Sequence, residues 1–252
     1  MPSPADAPPE RDTAYGPGHT SALSALLLLT DGRFPSGGHA HSGGLEAAAA
    51  TYGILDTSGL EAFLRGRLAT AGLVGAAFAA AACSAFRAYA VAGTSAVFEA
   101  GELDRELDAR TPSSAVRATS RRLGRQLLRV GRITWPHPGL DDLAKNQERS
   151  PHLPIALGAV AGSAGLDPAA AALAAAHEAV VGPATAAVRL LGLDPFGVHA
   201  ALARLGPQID DTAARGARGA GVPAADLPAC TGPLLDILAE HHVTWEVRLF
   251  AS

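Results

Sequence analysis

The chain is almost without lysine: Lys145, inside Ala-Lys-Asn-Gln, is the single one in 252 residues. A phosphate-binding P-loop needs a lysine followed by Ser or Thr after a glycine turn, so no such nucleotide site is encoded. Cysteine is nearly as scarce, with Cys83 and Cys230 alone. That is too few for a disulfide scaffold and points to a reducing, cytoplasmic setting. No Gly-x-Ser-x-Gly elbow, His-Glu-x-x-His or Cys-x-x-Cys occurs, so the local signatures of serine hydrolases, zincins and thiol redox enzymes are missing. Alternating β-branched and aromatic runs are nearly absent, except over 243–250, and strands find little support. Excess charge is lacking too. A formal net charge of −4 gives no global pull toward nucleic acid or anionic membrane.

Apolar residues, in contrast, make up 48% of the chain, enough to bury a core. The run 68–86 carries no charge over 19 residues, a length that could span a bilayer. Nine of those residues are alanine and five are Leu, Val or Phe, so a buried helix of a soluble bundle is expected instead. Cys83 falls in this run and reads as a core residue. Residues 1–20, rich in Pro, Asp, Gly and Ser, read as a disordered N-terminal tail. The apolar run 23–29 lacks the clean basic lead-in of a signal peptide.

Cap signals divide the rest. Ser58 and Glu61 have capping-box spacing. Thr111-Pro112, Asp167-Pro168 and Asp194-Pro195 each place a capping side chain before a proline. Helices are expected near 21–31, 42–52, 58–90, 95–110, 112–134, 152–164, 168–191, 195–205, 208–219 and 227–243, with Gly182-Pro183 kinking or dividing the longest C-terminal one. The proline-rich stretch 135–154 reads as a loop and as the best internal boundary. The expected fold is all-α: a single globular helical domain over 21–252, of about ten helices, behind the tail.

Two regions stand out chemically. In Phe34-Pro-Ser-Gly-Gly-His-Ala-His-Ser-Gly-Gly-Leu-Glu46, paired glycines permit tight turns and close approach. Ser42 could cap the following helix, and Glu46 sits in its first turns, where a carboxylate suits the dipole. His39 and His41, two residues apart, would share one side of an extended strand, as metal binding requires; a helix corner with satisfied histidines is the plainer alternative. The second region, 111–140, lacks Asp and Glu and carries Arg117, Arg121, Arg122, Arg125, Arg129 and Arg132. Arg122, Arg125, Arg129 and Arg132 form one helical stripe. It could bind phosphates, as in a nucleic-acid-binding protein, or an acidic protein. The favoured reading is internal, with the segment holding Glu99, Glu102, Asp104, Glu106 and Asp108 as a neutralising antiparallel neighbour. His177-Glu178 and His241-His242 are weaker ligand candidates, and Cys230 lies in a turn expected to be exposed.

These residues carry a resemblance. Residues 26–30 followed by Asp31-Gly-Arg-Phe-Pro-Ser-Gly-Gly-His-Ala-His-Ser-Gly-Gly-Leu-Glu46 resemble the N-terminal signature of the UreF family of urease accessory proteins. Arg117-Ala-Thr-Ser-Arg-Arg-Leu-Gly-Arg-Gln-Leu-Leu128 is similar to that family's central arginine helix, His152-Leu-Pro-Ile-Ala-Leu-Gly158 to a helix start, and Val247-Arg-Leu-Phe-Ala-Ser252 to its terminal motif. Phe34 and His39 stand where the family usually has leucine and phenylalanine, and Val243 follows His242 in place of a glutamate. The resemblance implies an all-α cytoplasmic protein, commonly a homodimer, with no catalytic centre, cofactor or metal of its own. It implies binding to a UreD/UreH-type accessory protein and the UreG GTPase, and docking on apo-urease for nickel insertion, with no nucleic acid or membrane partner. The matching positions, Gly37, Gly38, His41, Ser42, Gly44, Glu46, Arg117, Arg121, Arg248, Leu249 and Phe250, are the expected partner-binding residues. The competing enzyme reading is a metal-dependent hydrolase built on His39 and His41.

Overall fold

A computed structural model describes residues 21–92, 96–145, 149–230 and 232–250. The expected tail 1–20 lies outside the described residues. Helix α1 (Ala22–Leu29) is capped by Ser21, whose hydroxyl accepts from Ser24 N–H. Next come α2 (Leu45–Tyr52) and α3 (Thr57–Arg67), which runs through a π-helical turn (Leu68–Gly72) into α4 (Leu73–Ala92). Then follow α5 (Ala96–Ala109), α6 (Ser114–Thr134), α7 (Pro138–Lys145), α8 (Leu153–Ser163), α9 (Pro168–Leu191), α10 (Pro195–Ala217), a short 3-10 turn (Ala224–Asp226) and α11 (Pro233–His242). No strand occurs among the described residues.

The uncharged run forms the centre of the bundle. On α4 the residues Ala76, Ala77, Phe78, Ala79, Ala80 and Cys83 are fully buried, as expected of a helix that is apolar all round. Helices α8, α9 and α10 pack around it, with α5 alongside. Alanine and glycine let these axes approach: a Cβ added at Gly158 on α8 would run into the Ala79 carbonyl of α4 and lie 2.7 Å from Ala82 Cβ. Burying Phe78 contributes about 2–3 kcal/mol, and the Arg110 guanidinium sits 5.6 Å from its ring centroid. One apolar cluster spans α1, α4 to α8 and the start of α9; a second joins α2, α3, α9 and α10. Helix α6 packs on α8, and α11 rests on α2 and α6.

Several expected boundaries move. The stretch 135–154 is not one loop: α7 lies inside it, burying Leu140 and Leu143. The prolines that suggested a boundary sit before α7, at its first residue, and around the start of α8, positions where a missing N–H costs nothing. The break expected near 206 is absent, and α10 continues through Pro207. Pro183 likewise leaves α9 unbroken. Asp56 rather than Ser58 caps α3, accepting from Gly59 N–H at 2.8 Å, and Ser113 rather than Thr111 caps α6. Residues 243–250 form turns and bends instead of a strand.

Candidate functional site: the glycine corner and the C-terminal tail

The corner between α1 and α2 is a run of tight turns that glycine makes possible. Gly37, Gly43 and Gly44 have φ of 84°, 59° and 89°, the left-handed region that other residues enter at a cost. Space adds a second demand, because a Cβ on Gly43 would fall 2.9 Å from Pro183 Cγ. The corner is fastened there by Arg67. Pro183 has no N–H to give the Ala179 carbonyl one turn earlier; Arg67 Nε donates to that oxygen at 3.0 Å, and Arg67 Nη1 donates to the Gly43 carbonyl. Burial pushes the Arg67 pKa down to about 10, still well above neutrality. The π turn begins at the next residue, Leu68.

Beyond the corner, the buried Ser42 hydroxyl accepts from Glu46 N–H at 3.3 Å, close to the capping role expected of it. Gly44 is the N-cap residue itself. Glu46 is 8% exposed. Its carboxylate accepts from Leu249 N–H at 2.9 Å and from Phe250 N–H at 3.0 Å. His242, fully buried, places Nε2 at 3.2 Å from the same carboxylate. Trp245 packs on the His242 ring at 4.7 Å between centroids, and its indole N–H donates to His241 Nδ1 at 3.2 Å. Phe250 is buried under Arg189, whose guanidinium lies 5.4 Å from the ring centroid. The chain therefore folds back after α11 and is gripped by a residue some 200 positions earlier. Arg248 and Leu249 project from this seat into solvent, Leu249 with 70% exposure.

Arg117 and Arg121 belong to another junction. Arg121 bridges Asp104 and Asp108 of α5 at 2.8 Å each and donates to the Ser150 carbonyl at 2.7 Å. Arg117 Nε lies 3.9 Å from Asp108 and its Nη1 donates to the Pro112 carbonyl at 2.8 Å. His152 N–H donates to Asp104 at 2.8 Å, and its Nε2 meets Asp108 at 2.9 Å. Burial pushes Asp108 up, but the Arg121 and His152 hydrogen bonds outweigh it and hold the carboxyl below its ordinary range. Burial also lowers the His152 pKa. The acidic segment thus neutralises Arg117 and Arg121, not the stripe Arg122, Arg125, Arg129 and Arg132 for which that role was expected. Of the stripe, only Arg132 meets an acid among the described residues, and that is Asp141 on α7. The junction also explains Gly124, where a Cβ would collide with the Pro151 carbonyl.

The remaining candidates scatter. Gly37 and Gly38 lie at the 3-10 turn Gly38–Ala40; His41 Nε2 sits 3.5 Å from Arg122 Nη2. The side chain of His39 lies outside the described residues. Among the described residues no group of three or more His, Cys, Asp or Glu could hold a metal ion. His177 keeps its buried Nδ1 without a hydrogen bond, and burial lowers its pKa; burial pushes neighbouring Glu178 up to about 7. Cys83 is buried with its thiol pushed up to about 12, and Cys230 is exposed.

Arg67 and Arg189 were not singled out from the sequence, and His152 was noted only as opening a helix-start motif. A mid-helix Gly-Pro was the one available hint to Arg67, since a proline there leaves a carbonyl in need of a donor. Glu240 was missed as well; it caps the start of α6 through Ala115 N–H at 2.9 Å and the Ser113 hydroxyl at 2.7 Å.

Fold and site together define an all-helical protein whose conspicuous polar residues join distant segments of chain. Comparison with known proteins makes this particular. The UreF family model matches residues 54–206. A urease accessory protein UreF of Mycolicibacterium vanbaalenii is 42% identical over 232 residues, covering 92% of this chain and 100% of the relative. Those of Mycobacterium sp. strain JLS and Mycobacterium tuberculosis are 45% and 40% identical, each with 92% and 100% coverage. The chain belongs to the UreF family.

Proposed function

We propose that the protein is a non-catalytic cytoplasmic scaffold of urease maturation, acting as a homodimer with a UreD/UreH-type protein and the UreG GTPase to insert nickel into apo-urease. The observation that carries this is the 40–45% identity, over the full length of the relatives, to proteins named as urease accessory proteins. The geometry supports it in kind. The residues matching the family motifs build an ordered surface of corner and tail in which Arg248 and Leu249 are presented outward while Glu46 holds their backbone. An exposed arginine beside an exposed leucine has the composition of an interface anchor. In this reading the glycine corner, with Gly37, Gly38 and His41, and the tail contact partners directly. Ser42, Gly44, Glu46 and Phe250 set the shape of that surface, while Arg117 and Arg121 hold α6 to α5.

The test is genetic and chemical together. A urease gene cluster expressed with and without this chain is assayed for urea hydrolysis and for nickel per urease active site. Loss of both without the chain, and recovery on its return, is expected. Full nickel loading in its absence would refute the scaffold role, and GTP or urea turnover by the purified chain would refute the non-catalytic one.

A further inference from the structure

The six arginines of α6 fall into two sets. Arg117 and Arg121 meet the acids of α5, and Arg132 Nε lies 2.6 Å from Asp141 on α7. Arg122, Arg125 and Arg129 are exposed and form no ion pair among the described residues. They recur at spacings of three and four, so they share one helical stripe about 10 Å long. Ile133 continues the stripe one turn later and is 76% exposed. Like charges at these spacings destabilise a helix, and no carboxylate among the described residues pairs with these three. The stripe also borders the glycine corner: Leu123 and Gln126 reach within 3.6 and 3.7 Å of a Cβ position on Gly37, and His41 faces Arg122.

We propose that Arg122, Arg125, Arg129 and Ile133 form a docking face for an acidic segment of a protein partner, one presenting carboxylates at helical spacing and ending in an apolar side chain. Guanidinium forks suit carboxylates in pairs, and the exposed isoleucine gives the face an apolar end that a phosphate backbone would not use. Nucleic acid fits less well. The stripe is short and is flanked by Asp104, Asp108 and Asp141, and the whole chain is net acidic at −4. A duplex, whose phosphates run on over a much longer track, would find only three exposed guanidinium groups here. The proposal deepens the scaffold reading by naming the chemistry that one partner surface must have.

The experiment uses the full chain, its Arg122→Gln/Arg125→Gln/Arg129→Gln variant and an Ile133→Ser variant, all checked for unchanged helicity and melting. The probes are a fluorescein-labelled helical peptide with three glutamates at matching spacing and a terminal leucine, the same peptide with glutamines, and a short DNA duplex. Fluorescence anisotropy is expected to show salt-dependent binding of the glutamate peptide. Binding should weaken roughly tenfold in the triple variant, the sum of three exposed pairs, and less in Ile133→Ser. Equal affinity of wild type and triple variant, no binding of the glutamate peptide by wild type, or tighter binding of the duplex would each overturn the proposal. Urease activation by co-expressed wild type is read separately: peptide binding without activation would sink the scaffold reading and leave this one standing.

Discussion

Replacing Glu46 by alanine should free the C-terminal tail before it unfolds the bundle. The carboxylate accepts two backbone N–H groups of the tail and faces His242. A hydrogen bond to a charged acceptor contributes about 1.5–3 kcal/mol, so the two together amount to about 3–6 kcal/mol. If the tail lifts, its amides regain water, and what remains to be lost is the burial of Phe250, about 2 kcal/mol. Lifting is therefore the cheaper response. The free energy of opening should fall by about 3 kcal/mol, roughly a 100-fold rise in the open fraction. Hydrogen–deuterium exchange at the Leu249 and Phe250 amides reads this directly, and tryptic cleavage after Arg248 reads it independently. Glu46→Gln, which keeps an acceptor and loses the charge, should fall between. Urease activation should drop with tail order while the thermal melt of the helices moves little. Exchange at those two amides within a factor of about two of wild type would refute the latch. A collapse of global stability without selective tail release would make Glu46 a general support of α2 instead.

Other outcomes follow from the same geometry. Glu178 is held protonated more readily in the fold than in the unfolded chain, so its contribution to stability is full below the unfolded pKa of 4.5 and lost as pH rises through about 7; Glu178→Gln should leave the urea midpoint almost unchanged at pH 4 and raise stability by about 2 kcal/mol at pH 8, after discounting for partial exposure. Removing Arg121 leaves Asp104 and Asp108 without their shared cation, so Arg121→Ala should cost about 3–5 kcal/mol in chemical denaturation, with Arg121→Lys a poor rescue because one ammonium cannot span both carboxylates. Gly43→Ala combines a φ of 59° with the Pro183 clash and should cost about 2 kcal/mol or more by the same measurement. Arg248→Ala, on an exposed side chain, should leave melting and UreD-type binding intact and weaken GTPase capture by about 2 kcal/mol in a pull-down with both partners, whereas equal recovery would remove this residue from the recruitment surface.

Helix content, the buried character of 68–86 and the core position of Cys83 were legible from local pattern, because alanine-rich apolar periodicity and Asp-Pro caps act within a few residues of chain. The glycine corner was legible too, since paired glycines in a helical chain mark a tight turn wherever the partner surface lies. Local pattern misjudged Pro207 and the prolines around α7, because a proline breaks a helix only where neighbours cannot make good the lost bond or the position lacks one already. What tertiary structure alone decided is where each charge ends. Glu46 and Phe250 are far apart in sequence and adjacent in space; Arg67 meets a carbonyl on α9 that Pro183 released. Along α6, one set of arginines meets α5 and α7 and the other meets water. Periodicity places a side chain on a face of its own helix. Only the packing of that helix against others determines whether the face meets an acid, a carbonyl or solvent, and that packing depends on contacts between residues that no local window contains together.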